Sequence, residues 1–154
     1  MSHYDTNLDK NNANYVPLTP LTFLKRAKEI YPNYEALIYE DRKYTWDQVY
    51  KRTVKFASAL NKIGVGKGDT VSFLAFNTPE IFEGHYSVPM TGAVLNTINI
   101  RLDAKTIAYI LDHSEAKVLV VDRQLHVEVK KALSTLKKKI IIIDINDKFA
   151  DQSK

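Results

Sequence analysis

Regular alternation between helix-like and strand-like segments restricts the fold of this chain more than any other feature. Strand-forming runs at residues 70–76, 93–98, 117–121 and 140–145 are separated by segments in which apolar residues recur every three or four positions, the spacing of one helical face. Strands that alternate with helices over short links form a parallel sheet with helices packed against it. The sequence therefore predicts an α/β fold with a mostly parallel sheet. The nearly all-apolar run KVLVV, residues 117–121, predicts a strand buried on both faces.

Capping residues and helix breakers predict where the helices begin and end. Each predicted start carries a residue that favours the first turn; these are Thr19 before Pro20, Thr45 with Gln48 three positions on, Thr78 before Pro79, and Asp103. Gly64 is expected to end the second helix, because glycine readily adopts the left-handed conformation that follows a helix. Pro89 should kink or end the third helix. A last helix is expected over residues 124–136. Before the second helix, EALIYEDRKYTW predicts two short extended pieces around a turn at Asp41 and Arg42.

The glycine-rich segment GVGKGD, residues 64–69, invites comparison with a loop that cradles nucleotide phosphates. In such loops a strand enters, the glycine turn follows and a helix leaves, so that free N–H groups of the helix point at the phosphate. The order here is reversed, since a helix precedes the glycines and a strand follows them. The spacing also matches neither the dinucleotide-binding fingerprint nor the P-loop. The segment therefore indicates a helix end and a turn rather than a phosphate site.

Composition narrows the class of protein further. The 154 residues carry a net charge of +4, and the only uninterrupted basic run is Lys137-Lys138-Lys139, which we interpret as a solvated helix end. A nucleic-acid partner is therefore not expected. The chain has no cysteine, which excludes disulfides, and neither its polar start nor its short apolar runs predict a signal peptide or a membrane span. We expect a cytoplasmic protein.

Taken by themselves, the residues show no catalytic apparatus. The histidines His3, His85, His113 and His126 have no spacing that indicates a metal site. Glu80 and Glu83 lie one helical turn apart but beside no evident base. We interpret these two carboxylates as a solvated face near a helix start, where negative charge is favoured.

Several motifs, taken in order, resemble one enzyme family. They are YTW at the start of a helix, GVxxGDxV after it, NxPExxExHxxxPxxGAVLNxxNxRLD, and IxxxLxHxEAKVLxxD. Their order and spacing are similar to those of acyl-CoA synthetases, which belong to the AMP-binding, adenylate-forming superfamily. Among these, the ligases for short- and medium-chain fatty acids or aryl acids are most similar. The resemblance covers about residues 15–122 of the chain.

The resemblance implies a two-step ligase reaction. ATP and a carboxylic acid, expected to be a fatty acid, form an acyl-adenylate and pyrophosphate; the thiol of coenzyme A then displaces AMP, and Mg2+ assists the first step. The family's Ser/Thr/Gly-rich phosphate loop ending in Pro-Lys-Gly is not in this sequence. We therefore expect an amino-terminal fragment that is inactive alone and binds none of ATP, Mg2+ or coenzyme A tightly.

The resemblance also divides the chain. Residues 1–14 are expected to be a polar, flexible amino terminus. Residues 15–146 are expected to be an incomplete α/β domain, the first portion of the large amino-terminal domain of an adenylate-forming enzyme. Residues 147–154 are expected to be a polar tail.

Three residues are implied to lie near coenzyme A. Asn99 and Arg101 follow the strand predicted at 93–98, and Arg123 follows the strand predicted at 117–121. An arginine can hold a phosphate through paired hydrogen bonds. The alternatives are that Arg101 pairs with Asp103 or with a backbone carbonyl, and that Arg123 is surface charge.

Two other functions stay open at this point. The chain could be a non-catalytic, truncated α/β interaction module that docks a partner through its sheet edge or through surface that a larger domain would cover. It could also be a free-standing flavodoxin-like protein. That class is disfavoured, because the strand–loop–helix phosphate loop expected near its start is not in the sequence.

Overall fold

The computed structural model describes residue 7 and residues 9–149. The helices in this part of the chain are α1 Pro20–Ile30, α2 Trp46–Lys62, α3 Pro79–Met90, α4 Ala104–His113 and α5 His126–Thr135. The strands are β1 Glu35–Tyr39, β2 Arg42–Thr45, β3 Thr70–Leu74, β4 Val94–Thr97, β5 Ala116–Asp122 and β6 Ile141–Ile145. A 3-10 turn, Arg123–Leu125, joins β5 to α5.

Four of the strands form the parallel sheet that the alternation predicts. Their order is β4-β3-β5-β6, and all three strand pairs are parallel. Strands β1 and β2 form a separate antiparallel hairpin around Glu40 and Asp41. The α/β prediction is therefore confirmed.

Two apolar cores lie on opposite faces of the sheet. On β3, Val71 and Phe73 pack with residues of α2 and α3, whereas Leu74 packs with α4 and α5. The inner strand β5 alternates in the same way and is buried over nearly its whole length. Because successive side chains of a strand point to opposite faces, only a continuous apolar run can fill both cores.

The predicted caps form as expected at three helices. Thr19 and Thr45 each accept a hydrogen bond from the backbone N–H three residues on and complete capping boxes, and the carboxylate of Asp103 caps α4. The hydroxyl of Thr78 makes no capping hydrogen bond at α3. Pro89 lies inside α3, which ends one residue later at Met90. Helix α5 ends at Thr135, so the basic run at 137–139 lies beyond the helix instead of within its last turn.

The glycine segment forms a turn at the amino end of β3, as predicted. Gly64 and Gly68 have φ values of 85° and 87°, which favour glycine. The carboxylate of Asp69 accepts a hydrogen bond from the Gly66 N–H, 2.8 Å, and another from Lys117, 2.9 Å. Both hydrogen bonds lower the pKa of Asp69 below its usual value, and the bond from Lys117 has the larger effect. The turn is therefore unsuited to bind a phosphate, because the negative charge of Asp69 would repel it and the Gly66 N–H is already used.

The sequence predicts a flexible amino terminus and a polar tail. Of the amino-terminal residues 1–14, residues 1–6 and 8 lie outside the described part, and residues 11–15 form a turn in which Asn11 accepts backbone hydrogen bonds. Of the expected tail, residues 147–149 pack on the β1–β2 hairpin: Asp147 is buried, and Phe149 meets Tyr39 edge to face at 5.9 Å. No helix among the described residues is both long and apolar enough to cross a membrane.

Candidate functional site at the carboxyl edge of the sheet

The carboxyl ends of the four parallel strands meet at one edge of the sheet, which we call the carboxyl edge. The chain continues from β3 to β4 on one side, whereas it continues from β5 to β6 on the other. The direction of winding therefore reverses between β3 and β5. Ligands of open α/β sheets bind at such a reversal, outside the carboxyl ends of the strands. Residues that follow the strands are thus the first candidates for a site.

Asn99 and Arg101 lie exposed on the segment that follows β4. The side-chain oxygen of Asn99 accepts a hydrogen bond from the backbone N–H of Arg101, 2.9 Å. Asn99 also lines a groove of 370 Å3 together with Asn77 and His85. Asp103, the suggested partner of Arg101, instead accepts hydrogen bonds from the N–H and the hydroxyl of Thr106, at 2.9 and 3.1 Å. These hydrogen bonds keep the pKa of Asp103 below its usual value, and the bond from the Thr106 N–H has the larger effect.

Arg123 lies exposed at the start of the 3-10 turn after β5. Strand β3 stands between β4 and β5, so roughly 10 Å, two strand spacings, separates the ends of those two strands. The structure therefore brings all three predicted residues to one edge, on both sides of the winding reversal. Their role towards a ligand stays a prediction.

Asp144 on β6 lies beside two basic side chains of this edge. Its Oδ2 is 3.9 Å from Nε of Arg123, and its Oδ1 is 3.1 Å from Nε2 of His126. All three side chains remain partly open to solvent. Arg123 is thus an exposed cation that lies next to a carboxylate and an imidazole.

A partly buried charge cluster underlies the carboxyl edge. Its carboxylates Glu83 and Asp147 are buried, whereas Arg42, Arg52 and Glu80 are half-buried. Arg42 donates to Oε1 of Glu80 at 3.3 Å and to Oδ1 of Asp147 at 3.2 Å. The hydroxyl of Tyr39 donates to the other oxygen of Asp147 at 2.5 Å. That hydrogen bond is the main reason why the pKa of Tyr39 is raised to about 12. The cluster ties the hairpin to the end of β6.

The expectation that Glu80 and Glu83 form a solvated face is wrong. Glu83 is buried, and both of its carboxylate oxygens accept hydrogen bonds from the guanidinium of Arg52. Burial raises the pKa of Glu83, while the arginine opposes that shift. The first turn of α3 faces α2 and the hairpin instead of water, because the helix packs over β3 and β5 in the apolar core. The basic partner of Glu83 is Arg52, which lies 31 positions earlier in the sequence. No rule based on local residue spacing predicts a pair at that separation.

Asp122 is the last residue of β5 and is fully buried. Its Oδ1 accepts a hydrogen bond from the Gln124 N–H, 3.0 Å, and so starts the 3-10 turn that carries Arg123. Its Oδ2 has no hydrogen-bond partner among the described residues. Burial raises the pKa of this carboxyl group. Asp122 therefore serves to position the segment after β5.

The described histidines do not converge on a metal site. His85 approaches the carbonyl of Ile81 at 2.8 Å, His113 stacks on Tyr109, and His126 meets Asp144. Residue 3 lies outside the described part. Within residues 7 and 9–149, no three His, Asp or Glu side chains are grouped as metal ligands would be.

An apolar groove of 640 Å3 runs between the hairpin and α3. Its lining residues include Leu37, Ile38, Ile81, Phe82 and Tyr86. It shares Asn77, Ile81 and His85 with the groove at Asn99. The two grooves therefore meet at the carboxyl edge. Sequence reasoning missed this feature, because its walls come from segments that are distant along the chain.

The family described as AMP-binding enzyme matches residues 24–154. Among curated proteins, a peroxisomal trans-cinnamate:CoA ligase of Petunia hybrida is 54% identical over 129 residues, which is 84% of this chain and 23% of the relative. A peroxisomal butyrate–CoA ligase of Arabidopsis thaliana is 56% identical over 116 residues, 75% of this chain and 20% of the relative. The chain thus spans less than a quarter of the length of these relatives.

The same fold occurs in solved structures. The crystal structure of an anthranilate CoA ligase in complex with anthranoyl-AMP matches this chain with a TM-score of 0.78 and 26% sequence identity. The match covers 81% of this chain and 24% of that protein.

Proposed function

The chain belongs to the AMP-binding enzyme family, and on that premise we propose that it forms the amino-terminal part of an acid–thiol ligase. The carboxylate of the substrate attacks the α-phosphorus of ATP and releases pyrophosphate. The thiolate of coenzyme A then attacks the acyl carbon of the resulting acyl-adenylate, and AMP leaves. The observation that carries the proposal is the 54% identity over 129 residues to a protein named as a CoA ligase.

A small carboxylic acid is the proposed substrate class. The butyrate–CoA ligase at 56% identity supports the fatty acid expected from the motifs. The trans-cinnamate and anthranilate ligases keep aryl acids as the second class.

Arg123, with Asn99 and Arg101, is proposed to contact the phosphates of coenzyme A. Support comes from their common position at the carboxyl edge, where ligands of such sheets bind. A guanidinium presents two parallel N–H donors to phosphate oxygens, which makes Arg123 the strongest candidate of the three. The amide of Asn99 and the guanidinium of Arg101 would line the approach from the β4 side.

The described residues fit neither the phosphates of ATP nor Mg2+. The segments that lead from a strand into a helix at the carboxyl edge, residues 75–78, 98–103 and 123–125, contain no glycine, whereas phosphate loops use glycine to let backbone N–H groups approach. The acidic side chains of the partly buried charge cluster are already paired with Arg42 and Arg52. We therefore assign ATP and Mg2+ to other parts of the enzyme, and expect residues 1–154 alone to form no thioester.

The test uses the complete reading frame that contains these 154 residues. Its product is incubated with ATP, Mg2+, coenzyme A and a panel of aliphatic and aryl acids, and thioester and AMP are measured. The expected result is acid-dependent formation of both in equal amounts. A product that forms no thioester with any acid, or a source gene with a stop codon directly after Lys154, would refute the ligase proposal.

Arg123→Ala tests the coenzyme A contact within that enzyme. We expect the KM for coenzyme A to rise at least about tenfold, because a charge-assisted hydrogen bond contributes about 1.5–3 kcal/mol. The KM for ATP should not change. Arg26→Ala, an exposed arginine on α1, is the matched control. Equal KM values for coenzyme A in all three proteins would remove Arg123 from the site.

For the compartment, we propose the peroxisome for the complete enzyme instead of the cytoplasm expected from composition. The names of both curated relatives described above include this compartment. A fluorescent fusion of the complete protein that stays diffuse in the cytosol would overturn this proposal.

A non-catalytic interaction module is the second candidate, and one observation favours it. Strand β6 is the last strand on one side of the sheet, and Ile141 and Ile142 on it are about 40% exposed, at 41% and 39%. An apolar edge strand recruits a further strand or a partner. If the source gene ends directly after Lys154, a stable complex with a partner chain is the expected finding; a monodisperse monomer that binds no partner would contradict the module.

A further inference from the structure

Asp144 is the one polar side chain on the stretch of β6 that pairs with the buried centre of β5. The strand register places it opposite Val121, which packs in the core beneath α5. Its neighbours Ile143 and Ile145 pack in the core on the other face of the sheet. A carboxylate at this position adds nothing to apolar packing. The groups it meets are Nε of Arg123, at 3.9 Å, and Nε2 of His126, at 3.1 Å.

We propose that Asp144 is an intramolecular competitor that lowers the affinity of the carboxyl edge for the phosphates of coenzyme A. The proposal rests on the proposed function, in which Arg123 contacts such a phosphate. A phosphate placed on Arg123 lies close to the Asp144 carboxylate, whose nearest basic groups are Nε of Arg123 and Nε2 of His126. The phosphate therefore competes with the carboxylate for these groups and is repelled by its charge.

The site is open enough for this exchange. The side chains of Arg123, His126 and Asp144 are 56%, 36% and 38% exposed. Neither core has to open when a phosphate displaces the carboxylate. His126 is also the first residue of α5, whose cap residue Leu125 offers no capping side chain. The positive end of the helix dipole adds to the attraction for an anion at this point.

Repulsion by Asp144 outweighs any orienting effect. Exposed ion pairs hold their side chains only weakly, so the loss of Asp144 leaves Arg123 and His126 in place. The charge of the carboxylate acts over a longer distance. A single charge repels a dianion roughly 7 Å away in water at moderate ionic strength enough to lower affinity about threefold. Removing the charge should therefore strengthen phosphate binding.

The experiment compares Asp144→Asn with wild type in the complete enzyme. We expect the KM for coenzyme A to fall about threefold at moderate ionic strength, and the difference to grow at low salt and to shrink as ionic strength rises further. The KM values for ATP and for the acid should not change. Asp144→Ser should behave in the same way, which excludes a new contact made by the asparagine amide. Glu29→Gln is the matched control: Glu29 lies on α1, away from the carboxyl edge, is 55% exposed and pairs with Lys25 at 3.8 Å, and its loss should leave the KM unchanged.

Dephospho-coenzyme A identifies which phosphate is involved. If the gain in Asp144→Asn disappears with this substrate, the competitor acts on the 3′-phosphate; if the gain persists, it acts on the pyrophosphate. Both results support the competition. An unchanged KM in both Asp144 variants would overturn it, and a raised KM would show that Asp144 orients the basic side chains instead.

A second readout separates this inference from the proposed function. Pyrophosphate is titrated against the same proteins, and the NMR signal of the His126 imidazole is followed without turnover. We expect about threefold tighter binding in Asp144→Asn than in wild type. If the complete protein makes no thioester, the ligase proposal fails, but this titration still decides the competition. Equal dissociation constants, or no binding to either protein, would overturn the inference.

Discussion

Gly84→Ala is expected to destabilise the fold through one close contact in the core. Gly84 lies in α3, where the helix crosses Phe73 of β3. A Cβ atom added at Gly84 would stand 2.6 Å from Cζ and 2.9 Å from Cε1 of the Phe73 ring. Carbon atoms in contact prefer about 3.5–4.0 Å. The ring is fully buried and packs edge to face against Phe56, so it cannot move away freely.

Two opposing effects set the change in free energy of unfolding caused by Gly84→Ala. Overpacking of a filled core by one methyl group costs about 1–3 kcal/mol, and a shortfall of nearly 1 Å on two ring atoms lies at the upper end of that range. Alanine is favoured over glycine inside a helix by about 1 kcal/mol. The net loss in free energy of unfolding is therefore about 2 kcal/mol. For a chain of this length, that corresponds to a fall in melting temperature of about 4–8 °C.

Gly66→Ala is the matched control. Nothing lies within 4 Å of a Cβ added at Gly66, and its backbone needs no left-handed conformation. The substitution should be neutral or stabilising by about 0.4–1 kcal/mol, because it restricts the unfolded chain.

Urea unfolding of the 154-residue chain, followed by the fluorescence of its single tryptophan, Trp46, measures both variants. Hydrogen exchange of β3 and α3 amides in the complete protein gives a second measure that does not require the short chain to unfold in one step. Equal stability of Gly84→Ala and wild type, or an equal loss in Gly66→Ala, would refute the packing argument.

Two further predictions concern the partly buried charge cluster. Glu83→Ala removes the buried carboxylate that accepts two hydrogen bonds from Arg52. It should lower the free energy of unfolding by about 1–2 kcal/mol, because Arg52 is 38% exposed and keeps Glu80 at 3.8 Å. Glu35→Ala breaks an exposed pair with Lys43 and should change the free energy of unfolding by less than about 1 kcal/mol; equal effects in urea unfolding would contradict the burial argument. The pKa of Tyr39 is raised from 10.0 to about 12 in the folded state, so its stabilising contribution is complete below pH 10 and is lost as the pH rises through 12. The stability difference between wild type and Tyr39→Phe should therefore shrink between pH 10 and pH 12, and parallel stability curves would disprove this.

The sequence by itself determined the elements and their class. The apolar run from Val118 to Val121 could only be a strand buried on both faces, and the caps at Thr45 and Asp103 set helix starts that the structure reproduces. The reversed order of helix, glycine turn and strand was enough to remove the phosphate-loop interpretation. All of these signals are local, since propensity, capping and periodicity act over a few residues.

Only the tertiary structure decided which charged side chains meet. Arg52 and Glu83 lie 31 positions apart in the sequence, and Tyr39 and Asp147 lie 108 positions apart. Asp144 on β6 meets His126 on α5, 18 positions earlier. A single sequence gives no signal for such pairs, because an exposed carboxylate and a buried one have the same local pattern. Whether Glu83 faces water or an arginine depends on how α3 is oriented on the sheet, and this orientation is set by packing across the whole domain.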